Sequence, residues 1–188
     1  MCKNLCGLDY KIIGAEKIPD EKGIVFIKHS SVYELFVGLL LFSPSSWVAK
    51  HELMYLPLFR QAIKVFGFIP VKRGLGKSEV TKVIRDGTAR LREGNWIVVF
   101  PEGTRVPHGE TKRYGLSGAL LAVGTGSNIT PIAHNAGRYW GRRSLIKKRG
   151  SIVFSIGSQI STFGKSYDEI NKEAKTWIDA ETKRIDGL

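Results

Sequence analysis

Residues 23–42 read GIVFIKHSSVYELFVGLLLF, and this stretch contains two different patterns. It begins with a short β-branched and aromatic run, which is typical of a buried strand. Two serines interrupt that run, and the apolar segment that follows is too long for a strand and is stopped by Pro44. The stretch therefore predicts a strand, a tight turn and a helix, which is the repeating unit of an α/β fold.

The same alternation continues along the chain. Further short apolar runs predict strands: YKIIGA, SWVAK, GFIPVKR, NWIVVF, ITPIAH and SIVFSIG. The segments between them have helical patterns: PLFRQAIKVF, KSEVTKVIRDGTARLREG, GLSGALLAVGTG and SYDEINKEAKTWIDAETKRI. We expect residues 1–188 to form a single α/β domain, with a mostly parallel or mixed central sheet flanked by helices.

The charge is unevenly distributed. The chain carries 29 Lys and Arg against 17 Asp and Glu, a formal net charge of +12. Residues 111–167 contain no acid and nine basic residues, six of them in RYWGRRSLIKKRG. Such an imbalance indicates an anionic partner, which could be a nucleic acid, a phospholipid surface, a phosphorylated substrate or an acidic carrier protein. Because no nucleic-acid-binding motif is present, we expect no nucleic-acid partner.

No stretch of the sequence is apolar for long enough to cross a bilayer. The longest apolar run, LFVGLLLF at residues 35–42, has eight residues, whereas a crossing needs about 20. The two cysteines lack partners at metal-ligand spacing and fit a reducing compartment. We expect a cytoplasmic protein that can touch a membrane without spanning it.

His29 and Glu34 are the first candidate catalytic pair. If the helix begins after the Ser30–Ser31 turn, Glu34 can face back toward His29 and hold one ring N–H. The other ring nitrogen is then available as a general base. The alternative is purely structural, since Ser31 and Glu34 have the spacing of a capping box.

Polar residues also follow other predicted strands. VVFPEGTR places Glu102 and Arg105 after a buried run, and GFIPVKRG places Lys72 and Arg73 in a basic turn. Arginine grips phosphate bidentately, so both turns are candidate phosphate sites. The alternatives are an internal Glu–Arg pair and a solvated basic turn. His134, at the end of ITPIAH, fits a structural histidine better than a catalytic one.

Four boxes in this order resemble the 1-acylglycerol-3-phosphate acyltransferase family of glycerolipid and lysophospholipid acyltransferases. They are HSSVYE, GFIPVKRG, FPEGTR and ITPIAHN, and the similarity extends over most of the chain. One departure is Glu34, where the family usually has Asp, and we interpret it as a variant dyad. A second is that relatives usually begin with hydrophobic membrane helices, whereas this sequence starts after that point.

The resemblance implies acyl transfer from a thioester, acyl-CoA or acyl carrier protein, to the free hydroxyl of lysophosphatidate, giving phosphatidate. His29 would be the general base and Glu34 would orient it. No other cofactor and no metal is implied. The oxyanion would be stabilised by backbone N–H groups near either Pro131 or the Ser30–Ser31 turn.

The resemblance also implies a set of substrate-binding residues, which are Lys72, Arg73, Glu102, Gly103, Thr104, Arg105 and Pro131. Of these, the basic residues would bind the acceptor phosphate at an anionic membrane surface. Two alternatives stay open, an acyltransferase for another lysophospholipid or a lipid A precursor, and a non-catalytic module that binds anionic lipid or nucleic acid.

Overall fold

A seven-stranded sheet forms the centre of the computed structural model, which describes residues 6–55, 67–72 and 77–187. The strand order is β1-β7-β6-β2-β5-β3-β4. The strands are β1 (Leu8–Ile13), β2 (Ile24–Ile27), β3 (Ser45–Lys50), β4 (Ile69–Val71), β5 (Trp96–Val99), β6 (Ile129–His134) and β7 (Gly150–Ile156).

Strand direction decides where the ends of the strands meet. Strands β2 to β6 are mutually parallel, β7 is antiparallel to β6, and β1 is parallel to β7. We call the edge at which β2 to β6 end the carboxyl edge. Because β1 and β7 run the other way, both of them begin at the carboxyl edge. The mixed α/β sheet predicted from the sequence is confirmed.

Helices cover both faces of the sheet. The helices are α1 (Tyr33–Leu41), α2 (Lys77–Arg92), α3 (Ser117–Thr125), α4 (Ala136–Tyr139) and α5 (Tyr167–Asp186). Helices α2, α3 and α5 contribute to one buried apolar cluster, and α1 and α4 contribute to the cluster on the opposite face. Two short 3₁₀ helices, Ala15–Lys17 and His51–Tyr55, lie in connections.

Most predicted elements correspond to observed ones. NWIVVF forms β5, which is buried along its whole length because helices cover both faces. Ser166 and Glu169 form a complete capping box at the start of α5, as their spacing predicted. The four-residue helix α4 was not predicted, since so short a segment has no periodicity.

One predicted helix cannot be compared with the structure. The helix predicted for PLFRQAIKVF, residues 57–66, lies outside the described residues. Within the described ranges, no helix combines the length and the apolar character that a bilayer crossing needs.

Candidate active site

The dyad forms at the turn between β2 and α1. His29 follows the end of β2, and its Nδ1 lies 2.8 Å from Glu34 Oε1 in the first turn of α1. A carboxylate only accepts hydrogen bonds, so the proton sits on Nδ1 and Nε2 keeps a free lone pair. The ring is stacked on Phe100 at 4.0 Å between centroids, and its side chain is 18% exposed. The imidazole is therefore fixed in orientation and tautomer while it stays accessible.

Glu34 also holds the turn, but the predicted capping box is only half formed, because α1 begins after Val32, whose side chain makes no capping hydrogen bond. Its carboxylate is fully buried and accepts hydrogen bonds from the backbone N–H of Ser30 at 3.2 Å and of Ser31 at 2.9 Å. The Ser31 hydroxyl in turn accepts from the Tyr33 N–H at 3.2 Å. One carboxylate thus begins the helix and orients the histidine.

His134 supports the dyad from the neighbouring strand. Its Nδ1 accepts from the Ala136 N–H at 3.2 Å, so its Nε2 carries the proton and donates to the Lys28 carbonyl at 2.6 Å. The same Nε2 lies 3.8 Å from Glu34 Oε2. Burial lowers the pKa of His134, despite the opposing charge of Glu34, and keeps the ring neutral. His134 is structural, as the sequence indicated, but it contacts the catalytic candidate directly.

Lys28 and Glu102 form a buried pair beside the dyad. Lys28 Nζ lies 3.9 Å from Glu102 Oε1, and both side chains are nearly inaccessible. Glu102 Oε2 is buried and makes no protein hydrogen bond within the described residues. Burial raises the pKa of Glu102 to about 7, although its backbone hydrogen bonds and Lys28 act in the opposite direction. Glu102 therefore changes its charge near neutral pH.

A cavity of about 440 Å³ opens in front of His29 at the carboxyl edge. Its cationic residues are Lys50, Arg105 and Lys112, and Glu102 and Gly103 also contribute to its wall. The remaining wall is mainly apolar and includes Val32, Leu35, Trp47, Leu53, Phe68, Val71 and Val99. The cavity joins the His29 imidazole, cationic groups and an apolar surface, so it can hold a molecule with an anionic end and a hydrocarbon tail.

The structure brings only some of the predicted substrate-binding residues to this cavity. Glu102, Gly103 and Arg105 line it, whereas Thr104 does not and Lys72 is exposed at the end of β4. Arg73 lies outside the described residues. Pro131 lies inside β6, is buried, and does not reach the cavity. The structure therefore does not place Pro131 among the residues that can contact a substrate in this cavity.

The residues named for oxyanion stabilisation, Ser30, Ser31 and Pro131, do not themselves offer an available N–H group. The N–H groups of Ser30 and Ser31 already donate to Glu34, so they are not available to a substrate. Proline has no N–H, and the neighbouring residues of Pro131 belong to the sheet.

The sequence analysis missed several residues that the fold brings together. Lys50 and Lys112 line the cavity, although neither belongs to a recognised box. Lys28 is paired with a residue 74 positions away in the sequence. The sequence did contain a signal for this pair, because Lys28 and Glu102 each come just after a predicted strand, and the ends of parallel strands meet at one edge of a sheet.

Known proteins are similar to this chain in sequence. A family model described as Acyltransferase matches residues 9–135. The 1-acyl-sn-glycerol-3-phosphate acyltransferase of Pseudomonas aeruginosa is 34% identical over 177 residues, which cover 93% of this chain and 69% of that protein. The enzyme of the same name from Borreliella burgdorferi is 26% identical over 177 residues, which cover 93% of this chain and 70% of that protein.

A solved structure shares the fold. The crystal structure of the 1-acyl-sn-glycerophosphate acyltransferase PlsC from Thermotoga maritima has a TM-score of 0.81 at 22% identity, covering 96% of this chain and 73% of that one. The family model and the Pseudomonas relative together show that this chain belongs to the acyltransferase family of the 1-acyl-sn-glycerol-3-phosphate acyltransferases, as the four sequence boxes predicted.

Proposed function

We propose that this protein transfers a fatty acyl group from a thioester to the free hydroxyl of 1-acyl-sn-glycerol-3-phosphate, giving phosphatidate. The observation that carries the proposal is the position of His29. Its Nδ1 is held by Glu34, and the ring borders a cavity with cationic and apolar walls. The names of the relatives support the choice of lysophosphatidate as the acceptor.

In the proposed mechanism, His29 Nε2 takes the proton of the acceptor hydroxyl while its oxygen attacks the thioester carbonyl. The new C–O bond forms, the C–S bond breaks, and the leaving thiolate takes the proton from the imidazolium. Glu34 stabilises that imidazolium through the 2.8 Å contact. No covalent intermediate is required, because holding the two substrates together lowers much of the barrier.

The acceptor phosphate is assigned to Arg105, with Lys112 also lining the cavity. Lys72 and Arg73 are assigned to the same role from the sequence alone. Burial raises the pKa of Glu102 to about 7, so this carboxyl carries less negative charge beside an anionic acceptor than an ordinary glutamate would. The apolar wall suits the hydrocarbon chains of both lipids.

The acyl donor is either acyl-CoA or acyl carrier protein, both of which are anionic and suit the basic surface. No other cofactor enters the proposed reaction. Because the acceptor is a lipid, we also assign the protein to the surface of an anionic membrane, the inner face of the cell membrane. The net charge of +12 supports that assignment.

The proposal is tested by measuring release of free thiol from acyl-CoA and from acyl carrier protein, with and without lysophosphatidate. We expect His29→Ala to lose at least about a hundredfold in rate, the usual scale of a general base. His108→Ala is the matched control, since His108 is partly exposed and does not line the cavity.

Three results would contradict the proposal. They are full activity in a folded His29→Ala protein, thiol release that does not depend on lysophosphatidate, and equal use of monoacylglycerol, which lacks the phosphate. A head-group panel in the same assay separates lysophosphatidate from other lysophospholipids and from lipid A precursors.

A further inference from the structure

The connection between α4 and β7 exposes apolar side chains among cations. We call residues 141–149, GRRSLIKKR, the basic loop. Leu145 is 90% exposed and Ile146 is 77% exposed. The five cations of the loop are Arg142, Arg143, Lys147, Lys148 and Arg149, and no acid occurs among them. Exposing two adjacent large aliphatic side chains to water costs free energy, and an apolar surface that covers them removes that cost.

The basic loop holds this arrangement through its own hydrogen bonds. The Ser144 hydroxyl donates to the Ile146 carbonyl at 2.7 Å, and Lys147 Nζ donates to the Leu145 carbonyl at 2.9 Å. The Lys148 N–H donates to the Tyr139 carbonyl at 2.9 Å, which closes the base of the loop. Lys147 also lies over the Trp140 ring at 4.8 Å. The carbonyls of Leu145 and Ile146 thus accept hydrogen bonds from within the loop, while both side chains are exposed.

Sheet topology places the basic loop on the same side of the molecule as the candidate active site. It connects the carboxyl end of β6 to β7, which begins at the carboxyl edge because it is antiparallel to β6. His29 follows β2 at that same edge, and β2 is the direct neighbour of β6. A surface that contacts the basic loop therefore faces the edge at which the cavity opens.

We propose that the basic loop docks the protein on an anionic lipid bilayer, with Leu145 and Ile146 inserted among the acyl chains and the flanking cations on the headgroups. An apolar tip surrounded by positive charge is complementary to a layer that is anionic at its surface and hydrocarbon beneath it. An acidic carrier protein matches the charge alone. The inference deepens the proposed function, because it states how an acyltransferase approaches its lipid acceptor.

The test is sedimentation of the full chain with vesicles of phosphatidylglycerol and phosphatidylcholine. Leu145→Ser with Ile146→Ser should weaken binding by about tenfold or more, since two aliphatic side chains no longer leave water. Phe163→Ser is the matched control. Phe163 is 94% exposed but follows the other end of β7, away from the carboxyl edge, and its loss should leave binding unchanged.

The charge is tested separately. Arg142→Gln with Lys148→Gln should weaken binding by about thirtyfold, the factor for two basic residues near an anionic leaflet. The control is Lys22→Gln with Lys172→Gln, which removes the same charge near the opposite edge. Binding of the wild type should fall as salt rises and as phosphatidylglycerol is removed.

Vesicle binding that the basic-loop variants leave unchanged would overturn the inference, as would equal losses in the control variants. If the basic-loop variants lose binding to acyl carrier protein but keep vesicle binding, the inference is overturned in favour of a protein partner. Thiol release with lysophosphatidate dissolved below its aggregation limit separates the two proposals. If the wild type turns over dissolved lysophosphatidate normally and the basic-loop variants bind vesicles as the wild type does, only the docking inference is contradicted. If the wild type shows no turnover but its vesicle binding depends on the basic loop, only the proposed function is contradicted.

Discussion

Replacing Glu34 with glutamine should abolish most of the activity, although glutamine has nearly the same shape. Glu34 is surrounded by donors: the His29 Nδ1–H and the Ser30 and Ser31 N–H groups, with His134 Nε2–H 3.8 Å away. An amide has one accepting oxygen and one donating NH₂ group. In either orientation, the NH₂ group therefore meets at least one donor.

The two amide orientations fail for different reasons. If the oxygen faces His29, the NH₂ group opposes the Ser31 N–H in a buried site, and the charge that stabilises an imidazolium is gone. If the NH₂ group faces His29, the ring must accept at Nδ1, so Nε2 is protonated and cannot act as a base. We expect a loss in kcat of about 10²–10⁴, the range of general-base catalysis. One unsatisfied buried group adds a loss in unfolding free energy of about 1–3 kcal/mol.

The assay is thiol release at saturating lysophosphatidate, together with urea denaturation to show that Glu34→Gln is folded under the assay conditions. Glu34→Asp is the informative companion, because it keeps the charge and shortens the side chain. We expect it to retain more activity than Glu34→Gln. Wild-type kcat in a folded Glu34→Gln protein would refute the dyad and leave Glu34 with the helix-starting role alone.

Substitutions at three further positions test the surroundings of the dyad. Arg105→Ala should lower kcat/KM for lysophosphatidate by the equivalent of one charge-assisted contact, about 1.5–3 kcal/mol, and Arg105→Lys should restore part of it. An unchanged kcat/KM in Arg105→Ala would show that Arg105 does not bind the phosphate. The pKa of Glu102 is about 7 in the folded protein, against 4.5 for an ordinary glutamate. Because the folded state then binds the proton more tightly than the unfolded chain, the unfolding free energy of the wild type should fall by about 3 kcal/mol, relative to Glu102→Gln, as the pH rises from 4.5 to about 7. Parallel stability curves of the two proteins in urea denaturation would contradict this. Burial lowers the pKa of His134, so below about pH 6.5 this histidine takes up a proton in the unfolded chain before it does so in the folded protein. Acid should therefore lower the unfolding free energy of the wild type more than that of His134→Gln. His134→Gln should also lower kcat by about tenfold, the equivalent of one hydrogen bond, with KM unchanged; a changed KM instead would contradict a positioning role.

The sequence was sufficient to predict the alternation of strands and helices, because buried strands and amphipathic helices carry their periodicity locally. NWIVVF is apolar except for Asn95 and became β5, and SYDEINKEAKTWIDAETKRI became α5 with its capping box. Strand order, in contrast, depends on which distant segments pair, and no local pattern reports that. Nothing in ITPIAH says that it pairs with β2 on one side and, antiparallel, with β7 on the other.

The candidate site was predictable to the same extent. The spacing of His29 and Glu34 and the resemblance of four boxes predicted the dyad. The contact between His134 and Glu34 spans 100 positions in the sequence and depends on β6 pairing with β2. Similarly, the burial of Lys28 against Glu102 depends on the pairing of β2 with β5. These contacts follow from strand order, which no local pattern specifies.

The reversed direction of β1 has a practical consequence for work with this protein. Leu8 begins β1 at the carboxyl edge, where it pairs with Gly150 at the start of β7. The last turn of α5 reaches the same edge, since the Asp186 carbonyl accepts from Arg138 Nη1 at 2.8 Å. A fluorophore or affinity tag attached just before Leu8 or just after Asp186 would therefore stand at the carboxyl edge, near the basic loop. Labelling at Phe163, on the opposite side of the sheet, would leave that approach open.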